Sequence, residues 1–199
     1  MDTLHELFPI PVLETHLPVS LTALQYCKSL EYTRYDNYSV SNSHKVLDHF
    51  SLSRVKEFIL RKLQTYFYDM CGFSRDVSPE IVTSWVNWHT EGDWAQEHAH
   101  SNSTLTFCWY VSVAKDSGNF VLISSTQMFG NQSYRYQEYN NFNSPSYEVF
   151  PRDGSLIIFP STLRHRVPRH NVEGFDRISL AGNVMMRGIV NSEFAEVHV

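Results

Sequence analysis

The chain has 199 residues, of which 42% are hydrophobic and 19% charged, and its net charge is −5. This length buries one real core, and the composition excludes disordered, collagen-like and low-complexity classes. The acidic balance argues against a protein that grips nucleic acid by its phosphates, which needs clustered Lys and Arg. Arg164, Arg166, Arg169 and His170 form the one candidate basic patch. Cys27, Cys71 and Cys108 show neither paired nor metal-type spacing, and no secretory signal precedes them. That usage predicts a cytoplasmic, reducing location. No apolar run approaches the ~20 residues that span a bilayer, so no membrane partner is expected.

In chain order, residues 1–19 read as a lead-in segment. Its apolar stretch, residues 7–13, is broken by Pro9 and Pro11 and suits an edge strand. Ser20 is placed to cap a helix that carries Leu21, Leu24, Tyr26 and Leu30 on or near one face. Residues 33–50, rich in Tyr, Asn and Ser, read as a loop with little regular structure. Residues 52–71 have the spacing of an amphipathic helix, with Val55, Phe58, Ile59, Leu63, Tyr66, Phe67 and Met70 on the core side. Ser51 or Ser53 would cap its start, and Gly72 sits where its stop belongs.

From residue 80 the period changes to two. Residues 81–89 read as a strand, followed by a turn at Glu91, Gly92 and Asp93. Residues 104–113 form a second long strand, with Thr106, Cys108 and Tyr110 on one face and Leu105, Phe107, Trp109 and Val111 on the other. A turn at Ser117 to Asn119 leads into a strand over 120–123. Residues 127–144 are too long and polar for a tight turn and read as a binding loop or lid; the loop and Trp88 are candidate substrate contacts, and its Tyr134, Tyr136 and Tyr139 serve either that role or ordinary packing. Short strands follow over 147–150, 155–159, 165–168 and 177–186, with a hairpin turn at Asp153 and Gly154. Two helices before about eight short strands predict a mainly β jelly roll supported by N-terminal α-helices. A single domain over 1–199 is expected, with 1–79 as support and 80–190 as core.

The chemistry-bearing stretch is Glu97-His98-Ala99-His100. Two histidines two apart on a strand point the same way and can share a metal if the fold supplies a third ligand. His165, after a strand and a turn, is the candidate; His170 is its rival, His89 lies near the site, and Glu97 and Asp93 are outsiders. Arg177 sits in an apolar strand, where a guanidinium needs an anionic partner: a structural carboxylate or a ligand. Ser179 shares its face, and Tyr110 can add a further hydrogen bond.

In order, Trp85-Val86-Asn87, Gly92, His98-Ala99-His100, Trp109-Tyr110, Phe159-Pro160-Ser161, His165, Val167-Pro168, Arg177-Ile178-Ser179 and Asn183 make a specific set. Through it the chain resembles the iron(II)/2-oxoglutarate-dependent oxygenases, most closely a bacterial and phage branch with a His-x-His motif, and prolyl-hydroxylase-like members. The match covers roughly residues 80–186. The resemblance implies a double-stranded β-helix core, Fe(II) held by His98, His100 and His165, and 2-oxoglutarate with its C5 carboxylate on Arg177, Ser179 and Tyr110. It implies hydroxylation of a small-molecule or protein substrate, in a host cytoplasm if phage-encoded. Thr106 and Tyr110 keep a four-residue spacing seen in prolyl-hydroxylase-like members. His100 departs from the family's usual carboxylate, which removes one negative charge from the metal's ligands. Two other readings stay open: a cupin-like three-histidine dioxygenase without 2-oxoglutarate, and a non-enzymatic jelly-roll binding module. A homodimer also stays open.

Overall fold

The computed structural model describes residues 2–125, 134–190 and 197–198. The helices are α1 (Leu21–Ser29) and α2 (Ser53–Gln64), the latter continued by a π-helical turn, Thr65–Met70. The strands are β1 (Leu13–His16), β2 (Tyr32–Arg34), β3 (Ser39–Ser41), β4 (Val77–His89), β5 (Ala95–His98) and β6 (Leu105–Ser112). They continue with β7 (Phe120–Ile123), β8 (Ser146–Val149), β9 (Ser155–Pro160), β10 (His165–Val167), β11 (Arg177–Val190) and β12 (Val197–His198).

The strands form two antiparallel sheets. The larger runs β1-β9-β6-β11-β4-β3-β2, with β12 on β11, and the smaller runs β5-β10-β7-β8. The alternation expected for residues 104–113 sorts the core into two. Leu105, Phe107, Trp109 and Val111 join Ile178, Leu180 and Val184 of β11 under α1 and α2. Cys108 and Tyr110 face the other way and pack with Phe120 and Leu122 of the smaller sheet. Helices therefore cover one face of the large sheet, and the small sheet faces the other. Among the described residues no helix is long and apolar enough to cross a membrane.

Gly182, on the helix-side face of β11, makes room for Phe107: an added Cβ would stand 2.3 Å from Phe107 Cζ and 2.6 Å from the Thr83 carbonyl oxygen. Gly182→Ala must displace a fully buried ring or strand backbone. It should cost about 1–3 kcal/mol, the usual range for overpacking, read from urea unfolding.

Several expectations change. The Ser20 cap stands, its hydroxyl accepting from the Ala23 N–H at 3.2 Å. Neither Ser51 nor Ser53 caps α2; a short 3-10 turn, Phe50–Leu52, leads into it instead. The π turn closes on a bond from the Cys71 N–H to the Tyr66 carbonyl. It rotates the last residues, so Met70 faces solvent rather than the core. Residues 33–50 are not an irregular loop: they contain most of the β2–β3 hairpin, and β3 adds to the large sheet beside β4. Its strands are too short to show a period, and long-range contacts hold it. Arg34 grips Asp93 through two 2.6 Å bonds. Asp153 and Gly154 do not form a hairpin, because β8 pairs with β7 in one sheet and β9 with β1 and β6 in the other. The chain changes sheets there, with Gly154 at φ +85°.

Candidate active site

Period-two alternation builds the site. On β11 the residues opposite the helical core are Arg177, Ser179, Ala181 and Asn183; on β6 they are Thr106, Cys108 and Tyr110; on β4 they are Trp85, Asn87 and His89. With His98, His100 and His165 from the small-sheet side, these strands line a cavity of about 530 Å³, part of it open to solvent.

The three expected histidines meet. His98, the last residue of β5, lies directly across from His165, the first of β10. His100 is beyond the strand end, and its N–H donates to the Ser161 carbonyl at 2.9 Å. Ser161 is in turn tied through its hydroxyl to Thr106 and Ser103, each at 2.8 Å. The Phe-Pro-Ser stretch thus anchors the second histidine as well as turning the chain toward the third. The ligand atoms of the three rings lie within 4.8 Å of one another.

Each ring has its Nδ1 beside an oxygen. His98 Nδ1 is 2.8 Å from the Gln96 carbonyl, His165 Nδ1 is 3.1 Å from the Leu163 carbonyl, and His100 Nδ1 is 2.8 Å from Asn183 Oδ1. A ring whose Nδ1–H donates to an oxygen carries its lone pair on Nε2. Three Nε2 lone pairs around one point are a metal-ligand set. Burial pushes the His165 imidazole down to about 3, with His98 and His100 adding to it against the Leu163 bond. Burial and then His98 also lower His100, against the bond to Asn183. Both rings therefore stay neutral near pH 7, the form a metal needs.

Arg177 is buried to 1% exposure. Its Nε and Nη1 have no hydrogen-bond partner among the described residues. Its Nη2 donates a long 3.4 Å bond to the Tyr110 hydroxyl. Among the described residues no carboxylate pairs with it, so the structural salt bridge that a buried guanidinium suggested is absent. Ser179 stands opposite Tyr110 across the β6–β11 ladder. A fixed cation, a hydroxyl and a phenol converge in the cavity that holds the histidines. That arrangement receives an anion.

A sequence model of the family described as "Putative 2OG-Fe(II) oxygenase" matches residues 83–183. The chain belongs to the 2OG-Fe(II) oxygenase family. No curated protein matches it in sequence. Solved structures resemble this oxygenase in fold. One is an oxidoreductase of the 2OG-Fe(II) oxygenase family from Burkholderia pseudomallei, at 15% identity and TM-score 0.58, covering 86% of this chain and 83% of that one. Another is HygX from Streptomyces hygroscopicus with nickel, 2-oxoglutarate and hygromycin B bound, at 11% identity and TM-score 0.59, covering 88% and 82%. A third is a Pseudomonas putida prolyl-4-hydroxylase, at 14% identity and TM-score 0.53, covering 90% and 94%. At these identities the likeness establishes the double-stranded β-helix fold. Iron and 2-oxoglutarate are the family's metal and cosubstrate, and the cluster of three histidines suits an iron ion.

The remaining candidates of the oxygenase sort themselves by partner. Glu97 turns out of the site and pairs with Arg164 at 2.5 Å. Asp93 holds Arg34 and accepts from the Thr90 N–H and hydroxyl, a structural role apart from the three histidines. His170 is fully buried rather than on the surface; its Nε2 is 2.6 Å from the Phe175 carbonyl, a structural bond. The basic patch is therefore partly spent, since Arg169 also donates to the Gly92 carbonyl at 2.6 Å. Trp88 faces the helical core and meets Tyr32 edge-on, because its parity on β4 is the opposite of the site's. Trp85, a member of the ordered motif set, stacks beside His100 with ring centroids 5.9 Å apart. Residues 127–133 of the expected lid lie outside the described residues. Tyr134, Tyr136 and Tyr139 are exposed and are not among the described residues that line the cavity. Sequence reasoning put His89 near the site and Trp85 and Asn87 in the motif set but did not see that all three point into the cavity. The alternation of residues 81–89 was the signal that groups them on one face.

Proposed function

We propose that this oxygenase holds Fe(II) on His98, His100 and His165 and binds 2-oxoglutarate beside it, with the C5 carboxylate on Arg177, Ser179 and Tyr110, to hydroxylate a second substrate. The observation that carries the reading is the buried Arg177 with no carboxylate partner among the described residues, in one cavity with three convergent imidazoles. Together the metal and cosubstrate supply the conversion of 2-oxoglutarate and O2 to succinate and CO2, with one oxygen atom passing into a C–H bond of the substrate.

This chain's residues do the positioning. Gln96, Leu163 and Asn183 fix the three ring orientations through their oxygens. Arg177 neutralises one end of the dianion, and Ser179 and Tyr110 complete its hydrogen bonds. Phe120, Phe159 and Ala181 line the cavity with apolar surface, which strengthens these charge contacts by limiting water. With His100 in place of a carboxylate, the triad is uncharged. The C1 carboxylate of 2-oxoglutarate would then supply the negative charge that the three imidazoles lack, so cosubstrate and metal should bind cooperatively. The chain works as one unit over 1–199, residues 1–79 bracing the large sheet and adding Tyr38 to the cavity wall, and 80–190 carrying the metal and cosubstrate residues. A small-molecule or protein substrate enters from the open side of the cavity.

Purified protein with Fe(II), 2-oxoglutarate and O2 should form succinate slowly even without its substrate, as uncoupled turnover. Succinate is measured by chromatography. The expected outcome is formation that requires both O2 and Fe(II) and is at least tenfold slower in His98→Ala. Iron-independent or undetectable succinate in the wild type would overturn the assignment.

A further inference from the structure

Next to Arg177 stands a side chain with no assigned role. His89 ends β4 and is the direct ladder partner of Arg177 on β11, so the two side chains share a face. His89 is 2% exposed, and neither ring nitrogen has a hydrogen-bond partner among the described residues. Both residues line the cavity. The ring is held face-on against Tyr38 of the β2–β3 hairpin, with centroids 4.8 Å apart and planes 9° from parallel. Stacking uses the face of an imidazole and leaves its hydrogen-bonding edge free. His170, equally buried nearby, shows how a structural histidine behaves: its Nε2 is bonded to a carbonyl.

Resting on the assignment of Arg177 to the distal carboxylate, we propose that His89 is a second donor to that carboxylate. The pocket then selects dicarboxylic 2-oxo acids with a guanidinium–imidazole pair on adjacent strands. Two buried polar groups side by side, with Arg177 Nε and Nη1 and both His89 ring nitrogens lacking partners among the described residues, point to one anionic ligand that completes both. Burial and the neighbouring Arg177 push the His89 imidazole down to about 3, against Asp93, which works in the other direction, while His170 and Arg34 add to the lowering. The ring is therefore neutral in the ligand-free protein and offers one N–H donor. It does not compete with Arg177 for the charge of the ligand. Tyr38 brings the hairpin into the site, which gives β2 and β3 a function beyond widening the sheet.

The test is anaerobic calorimetry on Mn(II)-loaded protein with two ligands: 2-oxoglutarate, and 2-oxopentanoate, which has the same chain length without the distal carboxylate. His89→Phe keeps the stack on Tyr38 and removes the donor; His89→Gln keeps an N–H donor. The expected result is a tenfold or greater rise in the Kd of 2-oxoglutarate for His89→Phe, an unchanged Kd for 2-oxopentanoate, and substantial recovery in His89→Gln. Without ligand, His89→Phe should melt no lower than the wild type, because the variant removes a buried group that lacks partners. A Kd for 2-oxoglutarate within twofold of wild type in His89→Phe overturns the inference, as does an equal loss for both acids, which marks a packing role. Should His89→Phe melt low, His89→Leu takes its place: a loss confined to 2-oxoglutarate in His89→Leu that His89→Gln recovers supports the role, and equal losses for the two acids in His89→Leu overturn it. Failure of the Arg177 assignment looks different. The wild type would then bind both acids alike, and Arg177→Met would change neither.

Discussion

Arg177→Met should raise the Kd of 2-oxoglutarate by roughly 10²–10⁴-fold and, without ligand, leave the protein as stable as the wild type or more so. The two halves of this prediction have one cause. The guanidinium is buried to 1% exposure and lacks partners at Nε and Nη1 among the described residues. Removing water from a charge without supplying a counter-charge is costly, and an apolar side chain of similar volume removes that cost. Once a carboxylate binds, the guanidinium becomes half of a buried ion pair. Deleting one half of such a pair costs ~3–5 kcal/mol, which corresponds to the stated range in Kd. Calorimetry on Mn(II)-loaded protein gives the first half, and thermal unfolding of ligand-free protein the second. A variant that binds 2-oxoglutarate normally, or that unfolds far below the wild type, would show Arg177 to be a structural residue. Tyr110, the one side chain hydrogen-bonded to its guanidinium among the described residues, sits at 3.4 Å and is too distant to provide that structural role.

The second large effect concerns the metal. Wild-type protein at a Mn(II) concentration 100 times its Kd should gain ~2.7 kcal/mol of stability. For a chain of this size that is roughly a 5–10 °C rise in melting temperature. His165→Ala and His100→Ala should each abolish the rise, since each removes one of three neutral imidazole ligands. His100→Asp should retain it, because a carboxylate at that place supplies a hard anionic ligand and the Asn183 amide can turn to donate to it. The contrast between His100→Ala and His100→Asp separates a ligand from a ring that merely fills space against Trp85. An undiminished rise in His100→Ala would remove His100 from the metal's ligands and leave His98 and His165 as a pair.

The residues of the site were more legible in the sequence than their surroundings. His98, His100, His165, Arg177, Ser179 and Tyr110 were named from spacing and order, and all of them line the cavity. What escaped were features that no local pattern encodes. The β2–β3 hairpin consists of two three-residue strands, too short to display a period. It is held by a side chain 59 residues away, Asp93. The sheet change at Gly154 looks, along the chain, like any tight Asp-Gly turn. Only the pairing of β8 with β7 and of β9 with β6 distinguishes the two. Trp88 and Trp85 differ by three positions, and a strand of inward and outward residues cannot be assigned a face until one knows what lies on each side.

The division has a physical basis. Side-chain direction along a strand or helix is a property of the local backbone, so the sequence by itself determined which residues of β6 and β11 travel together and that three histidines and an arginine accompany them. It also determined, through ordered motifs, the family to which the chain belongs. Partnership is decided by atoms distant in the chain. Only the tertiary structure set His165 opposite His98, gave each imidazole an oxygen at Nδ1, and left Arg177 and His89 side by side with donors unspent. A buried group without a partner is visible only when every neighbour is in place.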